Sequence, residues 1–162
     1  MKITSRVLSL LILVAVAIFY SGCKDKDGNQ DTEEKKLLTK LVGAWTLQSA
    51  NDGQDRTTDF PALVLHIEGN YTGEGKTYNY NFTGTRPDPS PWPDSGTWKF
   101  GTPKSTQIIR DPGGVDEIAM TYTVTETELI ISFDVPDTSA GWAGGTTRVK
   151  NVIGQWEFVF TK

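Results

Sequence analysis

The side chain best suited to acid–base chemistry is His66, the only histidine among 162 residues. A histidine works as a general base when it lies beside a nucleophile and a second group orients it. Alternation within the apolar segment 62–67 places His66 with Val64 and Glu68 on the wetter face of a strand. The sequence offers no nucleophile or orienting partner for it. We therefore expect a surface histidine and no enzyme activity, and one histidine is too few for the usual multi-histidine zinc and iron sites.

Carboxylates are the second group that could do chemistry. Glycoside hydrolysis needs two carboxyl groups at a fixed separation, which a sequence does not reveal. The candidates for such a pair are Asp116, Glu117, Asp134 and Asp137. Scattered carboxylates in an acidic protein are more often solvated surface groups, so we do not expect this activity.

A run of acidic and amide residues at every second position over 25–33 has the rhythm of a calcium-binding loop. That loop requires glycine at its sixth position and a bidentate glutamate at its twelfth. Gln30 and Lys36 stand at those positions here. We therefore expect no calcium site, no other bound metal and no cofactor.

Aromatic residues are the most informative group, because most of them fall on the inward faces of predicted strands. Such residues either fill a packed core or line an apolar pocket. A phenol buried in a closed core needs a partner for its hydroxyl, which favours a pocket for the tyrosines. Trp92 and Trp142 lie in loops instead, either as exposed contact residues or folded back as plugs over a barrel end. The candidate ligand-binding residues are Tyr78, Tyr80, Tyr122, Phe133, Trp92 and Trp142.

The first 22 residues have the pattern of an export signal. Lys2 and Arg6 precede an apolar stretch that is too short to span a bilayer comfortably, and small residues follow it. The segment 20–23, Tyr-Ser-Gly-Cys, resembles the lipobox of bacterial lipoproteins. This resemblance implies cleavage before Cys23, acylation of that cysteine and a lipid-anchored protein of the cell envelope. The charged residues directly after Cys23 resemble the export tags of some outer-membrane lipoproteins, so we expect it in the outer membrane. Cys23 is the only cysteine, so no disulfide within the chain is possible.

The mature chain after residue 22 carries 14 basic and 20 acidic side chains, a formal charge of −6. An acidic domain without a basic stripe is a poor nucleic-acid binder, and anionic lipid head groups would repel it. Membrane attachment must therefore come from acyl chains. Residues 23–36 lack large apolar side chains and are expected to form a flexible tether to a domain over 37–162.

The periodicity predicts one short helix followed by strands. Asp31 and Glu34 resemble a capping box, and an apolar stripe follows at helical spacing, so we expect a helix near 32–42 that ends at Gly43. Beyond it the apolar residues recur at every second position in eight segments. Eight such strands without crossover helices indicate an all-β fold of antiparallel strands, an up-and-down barrel or a sandwich. The connections over 84–97, with four prolines, and 136–151 are longer than barrel closure requires.

The segment Gly43-x-Trp45, after a helical turn and before an antiparallel meander, resembles the start of the lipocalin superfamily. The closer likeness is to the small lipocalin-like domains of bacterial lipoproteins. It implies an eight-stranded barrel with an internal cup for a small hydrophobic or amphipathic ligand. In that family the tryptophan packs against an arginine near the last strand, whereas this chain ends in Lys162 and its nearest arginine is Arg148.

Two functions of different kinds stay open. The first is a lipid-anchored binding protein, which requires an apolar cavity of a few hundred Å³. The alternative is a structural or interaction module of the envelope that has a filled core. Such a module would contact a protein or a glycan through the loops that carry Trp92 and Trp142.

Overall fold

A computed structural model describes residues 32–136 and 152–162. Its first element is helix α1, Glu33–Leu41. The expected capping box is wrong, because the cap is Thr32, whose hydroxyl accepts a hydrogen bond from the Lys35 backbone N–H at 3.3 Å. Glu34 is fully buried and bonds to other parts of the chain. Residues 33–36, assigned to the tether by their composition, form the first turn of this helix.

Eight antiparallel strands follow and form a closed barrel in which each strand pairs with its neighbours in sequence and β1 pairs with β8. The expected up-and-down barrel is thereby confirmed, and the sandwich is excluded. The strands are β1 Gly43–Asn51, β2 Val64–Glu68, β3 Tyr78–Thr83, β4 Ser95–Phe100, β5 Gln107–Arg110, β6 Ile118–Val124, β7 Glu128–Val135 and β8 Gly154–Thr161. Closure pairs both edges of the sheet, so no described strand leaves an open edge.

Alternation along the strands places one face of each inside the barrel. In β6, for example, Ile118, Met120 and Tyr122 are buried while Ala119 and Thr121 are exposed. Alternation places eleven aromatic residues on inward faces, and all but Phe82 are buried, namely Trp45, Tyr78, Tyr80, Trp98, Phe100, Tyr122, Phe133, Trp156, Phe158 and Phe160. Phe82, near the end of β3, is only partly buried. The core is therefore a continuous aromatic and aliphatic cluster inside the barrel.

The two ends of the barrel differ in what covers them. At one end, the cap end, lie α1 and the connections 69–77, 101–106 and 125–127. At the other end, the mouth, lie the connections from β1 to β2, from β3 to β4 and from β5 to β6. The long connection predicted over 84–97 is shorter, because residues 95–97 pair with β3 as the start of β4. We call residues 84–94 the plug loop.

Candidate functional site

The cap end is closed around Trp45, which is fully buried. Its indole N–H donates a hydrogen bond to the Leu41 carbonyl at 2.7 Å, which joins β1 to the end of α1. The ammonium group of Lys162 lies 4.2 Å from the centre of the Trp45 ring and donates to the Lys40 and Val42 carbonyls. Lysine thus provides the cation over the tryptophan and also binds the carbonyls at the helix C-terminus, where positive charge is favourable.

A buried carboxylate also joins parts of the cap end. Both Glu34 oxygens accept hydrogen bonds from the Gly75 backbone N–H at 3.1 Å, and Lys104 forms an ion pair with Glu34 at 3.0 Å. The Tyr78 hydroxyl donates to Glu34 at 3.3 Å. Burial, followed by the charge of Glu34, raises the pKa of Tyr78 to about 12. The hydrogen bond to Glu34 is the largest influence that raises the pKa of Lys104. These contacts connect α1 to the connections 69–77 and 101–106.

At the mouth, the plug loop folds into the barrel and buries Trp92, which is 4% exposed. The Trp92 ring lies edge-on to four aromatic rings at centroid distances of 5.2–5.9 Å, those of Tyr80, Phe82, Phe133 and Phe158. The expectation of an exposed contact tryptophan is therefore wrong for Trp92, and the expectation of a plug is confirmed. The ring is buried because it fills interior space that the inward side chains of the strands leave open.

The path of the plug loop is set at its start by Gly84. Its φ is +97°, and a side-chain carbon there would lie 2.2 Å from the Ala62 carbonyl oxygen, so only glycine fits. The Thr85 backbone N–H donates to the Pro61 carbonyl at 3.1 Å, and the Phe82 N–H donates to the Asp94 carbonyl at 2.8 Å. The loop therefore leaves and re-enters the sheet at defined positions.

Two arginines bind the plug loop where it enters the barrel. Arg86 donates to the carbonyl of Trp92 and forms an ion pair with Asp94. Its guanidinium carbon also lies 5.8 Å from the centre of the Phe82 ring. Arg110 is 1% exposed at the end of β5 and donates to the Pro91 carbonyl at 3.4 Å. The backbone on both sides of the Trp92 peptide is therefore bound to a guanidinium group.

Behind Trp92 the barrel encloses a cavity of about 20 Å³, which is room for about one water molecule. Its wall is apolar, and the residues around it are Leu41, Leu65, Ile67, Tyr80, Trp92, Trp98, Ile108, Arg110, Met120 and Ile131. The volume is far below the few hundred Å³ of ordinary ligand pockets. The open internal cup implied by the family resemblance is therefore not present in this structure, because the Trp92 indole fills the space.

The predicted ligand-binding residues divide between the two ends of the barrel. Tyr80 and Trp92 border the cavity, and Phe133 contacts Trp92. Tyr78 and Tyr122 lie toward the cap end, and both hydroxyls have protein partners, Glu34 for the first and the Lys104 carbonyl for the second. Cys23 and Trp142 lie outside the described residues. The structure therefore brings together three of the six residues.

Of the residues considered for acid–base and glycoside chemistry, the structure describes His66, Asp116, Glu117 and Asp134. His66 lies on the outer face of β2, where its Nε2 is 3.1 Å from the Thr83 hydroxyl. Asp137 lies outside the described residues. Within 32–136 and 152–162, no three His, Cys, Asp or Glu side chains group so as to hold a metal ion. None of the helices in these ranges is long and apolar enough to cross a membrane.

Three charged residues that bind loops at the two ends of the barrel, Glu34, Arg86 and Arg110, were not predicted as functional residues from the sequence. Alternation from Ile108 places Arg110 on the inward face of β5, and this signal was available. Helical spacing likewise places Glu34 on the face of α1 that carries Leu38 and Leu41. Arg86 carries no such signal, because it lies in a loop and its partners are in that same loop. Comparison with known proteins adds nothing further, since no family model, no curated protein and no solved structure matches this chain.

Proposed function

We propose that this chain is a lipid-anchored protein of the cell envelope whose barrel binds a small amphipathic molecule when the plug loop moves outward. Acyl chains on Cys23 would hold it in the outer membrane. An eight-stranded barrel with an interior lined by aromatic residues fits such a role. An acidic mature chain supports attachment through acyl chains and argues against a nucleic-acid partner.

The observation that carries this proposal is that a loop, and not a strand, supplies the side chain at the centre of the interior. Trp92 is connected to the barrel through the plug loop and two arginine contacts at the mouth. Loops open with smaller free energies than the strands of a closed barrel. Outward movement of this one side chain would leave a space walled by Tyr80, Phe133 and Phe158, next to the existing cavity.

The small cavity favours a second candidate function. A barrel with only about 20 Å³ of enclosed space resembles a filled core, and a protein of this kind would act through its outer surface. It would serve as an interaction module of the envelope that contacts a protein or a glycan. Trp92 is not available for such a contact in the closed form, because it is 4% exposed.

A binding titration separates the two candidates. All strand pairs and the core cluster lie within Asp31–Lys162, a compact unit with its own core, so residues 24–162 can be studied without the leader. We would titrate this fragment with N-phenyl-1-naphthylamine, a neutral apolar probe that fluoresces in apolar surroundings. We expect saturable binding of one probe per chain, and tighter binding by Trp92→Ala.

The filled-core candidate predicts a different pattern. The wild-type fragment would then bind no probe, and Trp92→Ala would bind it only because the substitution creates a void. That pattern would overturn the proposed binding function. A far-ultraviolet circular dichroism spectrum and a cooperative thermal transition of each variant control for folding.

Lipid attachment is tested separately in the full chain. Cells that express it are grown with an alkyne-tagged palmitate, and the purified protein is examined for the tag. We expect labelling of the wild-type chain and none of Cys23→Ser, with the labelled protein in the outer-membrane fraction. Labelling that persists in Cys23→Ser, or no labelling of either protein, would overturn the anchoring proposal.

A further inference from the structure

The polar atoms buried around the cavity give information about the head group of a bound molecule. Three side chains there have a hydrogen-bonding atom without a partner among the described residues. These atoms are the hydroxyl of Tyr80 and the indole N–H groups of Trp92 and Trp98. All three residues border the same cavity and are at least 96% buried. A buried donor without a partner is unfavourable, so an acceptor placed among them would be favoured.

The surroundings of Tyr80 leave room for its phenol ring and keep its hydroxyl protonated. Its partner on β4 is Gly96, where a side-chain carbon would lie 2.7 Å from the Tyr80 hydroxyl, so the absence of a side chain makes room for the phenol. Burial, followed by the charge of Asp111, raises the pKa of Tyr80 well above its usual value. The charge of Arg110 and then the nearby Trp92 N–H oppose this increase, although that N–H does not reach hydrogen-bond geometry with the hydroxyl. The hydroxyl therefore stays protonated and able to donate.

The charges nearby argue against an anionic head group. The Arg110 guanidinium forms an ion pair with Asp111 at 3.2 Å and donates to the carbonyls of Asp116 and Pro91. Asp116 also interacts with it electrostatically. Arg86 and Asp94 belong to the plug loop and leave with it when it moves outward, so Arg110 stays beside two carboxylates, Asp111 and Asp116. A carboxylate or phosphate that entered this region would add negative charge where negative charge already predominates.

We propose that the barrel selects a neutral molecule with an apolar tail and a hydrogen-bond acceptor, such as an alcohol, ester or ketone, which Tyr80 and Trp98 bind as donors. This inference rests on the proposed binding function and specifies its ligand class. When Trp92 moves outward, Tyr80 and Trp98 stay in place, because they belong to β3 and β4. The apolar tail would lie against Phe133 and Phe158, which now contact Trp92.

The test is competition against the bound fluorescent probe by two molecules of equal chain length, decan-1-ol and decanoate, at pH 8. We expect decan-1-ol to displace the probe at a concentration at least about tenfold lower than decanoate does. Tyr80→Phe removes one hydrogen-bonding group but keeps the ring, so its affinity for decan-1-ol should fall about fivefold more than its affinity for the probe does. Trp98→Phe, which removes one donor, should show the same selective loss.

Tyr122→Phe is the matched control, because the Tyr122 hydroxyl already donates to the Lys104 carbonyl toward the cap end. It should leave the preference for decan-1-ol unchanged. Equal or better competition by decanoate would overturn the head-group assignment while the binding function stands. The head-group assignment would also be overturned if Tyr80→Phe and Trp98→Phe both bind decan-1-ol as tightly as the wild-type fragment does. If neither the probe nor decan-1-ol alters the tryptophan fluorescence of the wild-type fragment, the binding function and this inference both fall.

Discussion

Replacing Arg86 by methionine should open the barrel to ligand, because the guanidinium group holds the plug loop closed. Methionine keeps an unbranched apolar side chain against Phe82 and removes the donor to the Trp92 carbonyl. The Arg86 side chain is 16% exposed, so the lost bond is that of a charged and mostly buried donor, worth about 1.5–3 kcal/mol. Its partner Asp94 is 79% exposed, so the ion pair adds no more than about 1 kcal/mol.

The expected change in affinity follows from this free energy. While the closed form predominates, each 1.4 kcal/mol by which it is weakened increases the apparent affinity about tenfold. Arg86→Met should therefore bind the fluorescent probe about 10- to 100-fold more tightly than the wild-type fragment. In urea unfolding without ligand, it should lose about 1.5–3 kcal/mol of stability.

Arg56→Met is the control, because it also removes a guanidinium group but leaves the plug loop untouched. Arg56 is 37% exposed and forms ion pairs with Asp52 and Asp59 in the connection from β1 to β2. Its replacement should leave probe affinity unchanged and alter stability by less than about 1 kcal/mol. If Arg86→Met loses stability but binds the probe no more tightly, the plug loop does not control entry and the reasoning is refuted.

Three further predictions concern the cap end. Glu34→Gln should lower the free energy of unfolding by about 1.5–3 kcal/mol, because Gly75 and Lys104 lose a charged partner. As a control, Glu33→Gln should change it by less than about 0.5 kcal/mol, because Glu33 is exposed. The pKa of Tyr78 rises from 10.0 to about 12 on folding, so its contribution to stability is full below pH 10 and is lost as the pH rises toward 12. The urea concentration at the midpoint of unfolding should therefore decrease from pH 8 to pH 10 and pH 11. The decrease should be smaller for Tyr78→Phe than for the wild-type fragment. Lys162→Met should lose about 1 kcal/mol, because the contact with Trp45 and the helix carbonyls disappears, and Lys162→Arg should restore most of it.

Each of these predictions has an outcome that would contradict it. Equal unfolding free energies for Glu34→Gln and Glu33→Gln would mean that the buried carboxylate contributes no net stability. A urea midpoint that stays constant between pH 8 and pH 11 would contradict the raised pKa of Tyr78. If Lys162→Arg is as unstable as Lys162→Met, the cation over Trp45 does not stabilise the cap end.

The sequence by itself determined the number and order of the strands and the residues that face inward. This information is local, because alternation along a strand assigns each side chain to one face without knowledge of its neighbours. The inward aromatic residues of β3 and β8 were identified in this way. Arg110 followed the same alternation, yet an arginine is expected at the surface and its inward position was overlooked.

Only the tertiary structure decided whether the barrel is open or filled. Trp92 carries no periodic signal, and its burial depends on contacts with strands that are close in space and far apart in sequence. Helical spacing assigns Glu34 to the buried face of α1, but its partners Gly75 and Lys104 come from two distant loops, which only the tertiary structure shows. Periodicity describes what one segment presents to its surroundings, whereas the volume of a cavity and the pairing of buried charges depend on which segments meet there.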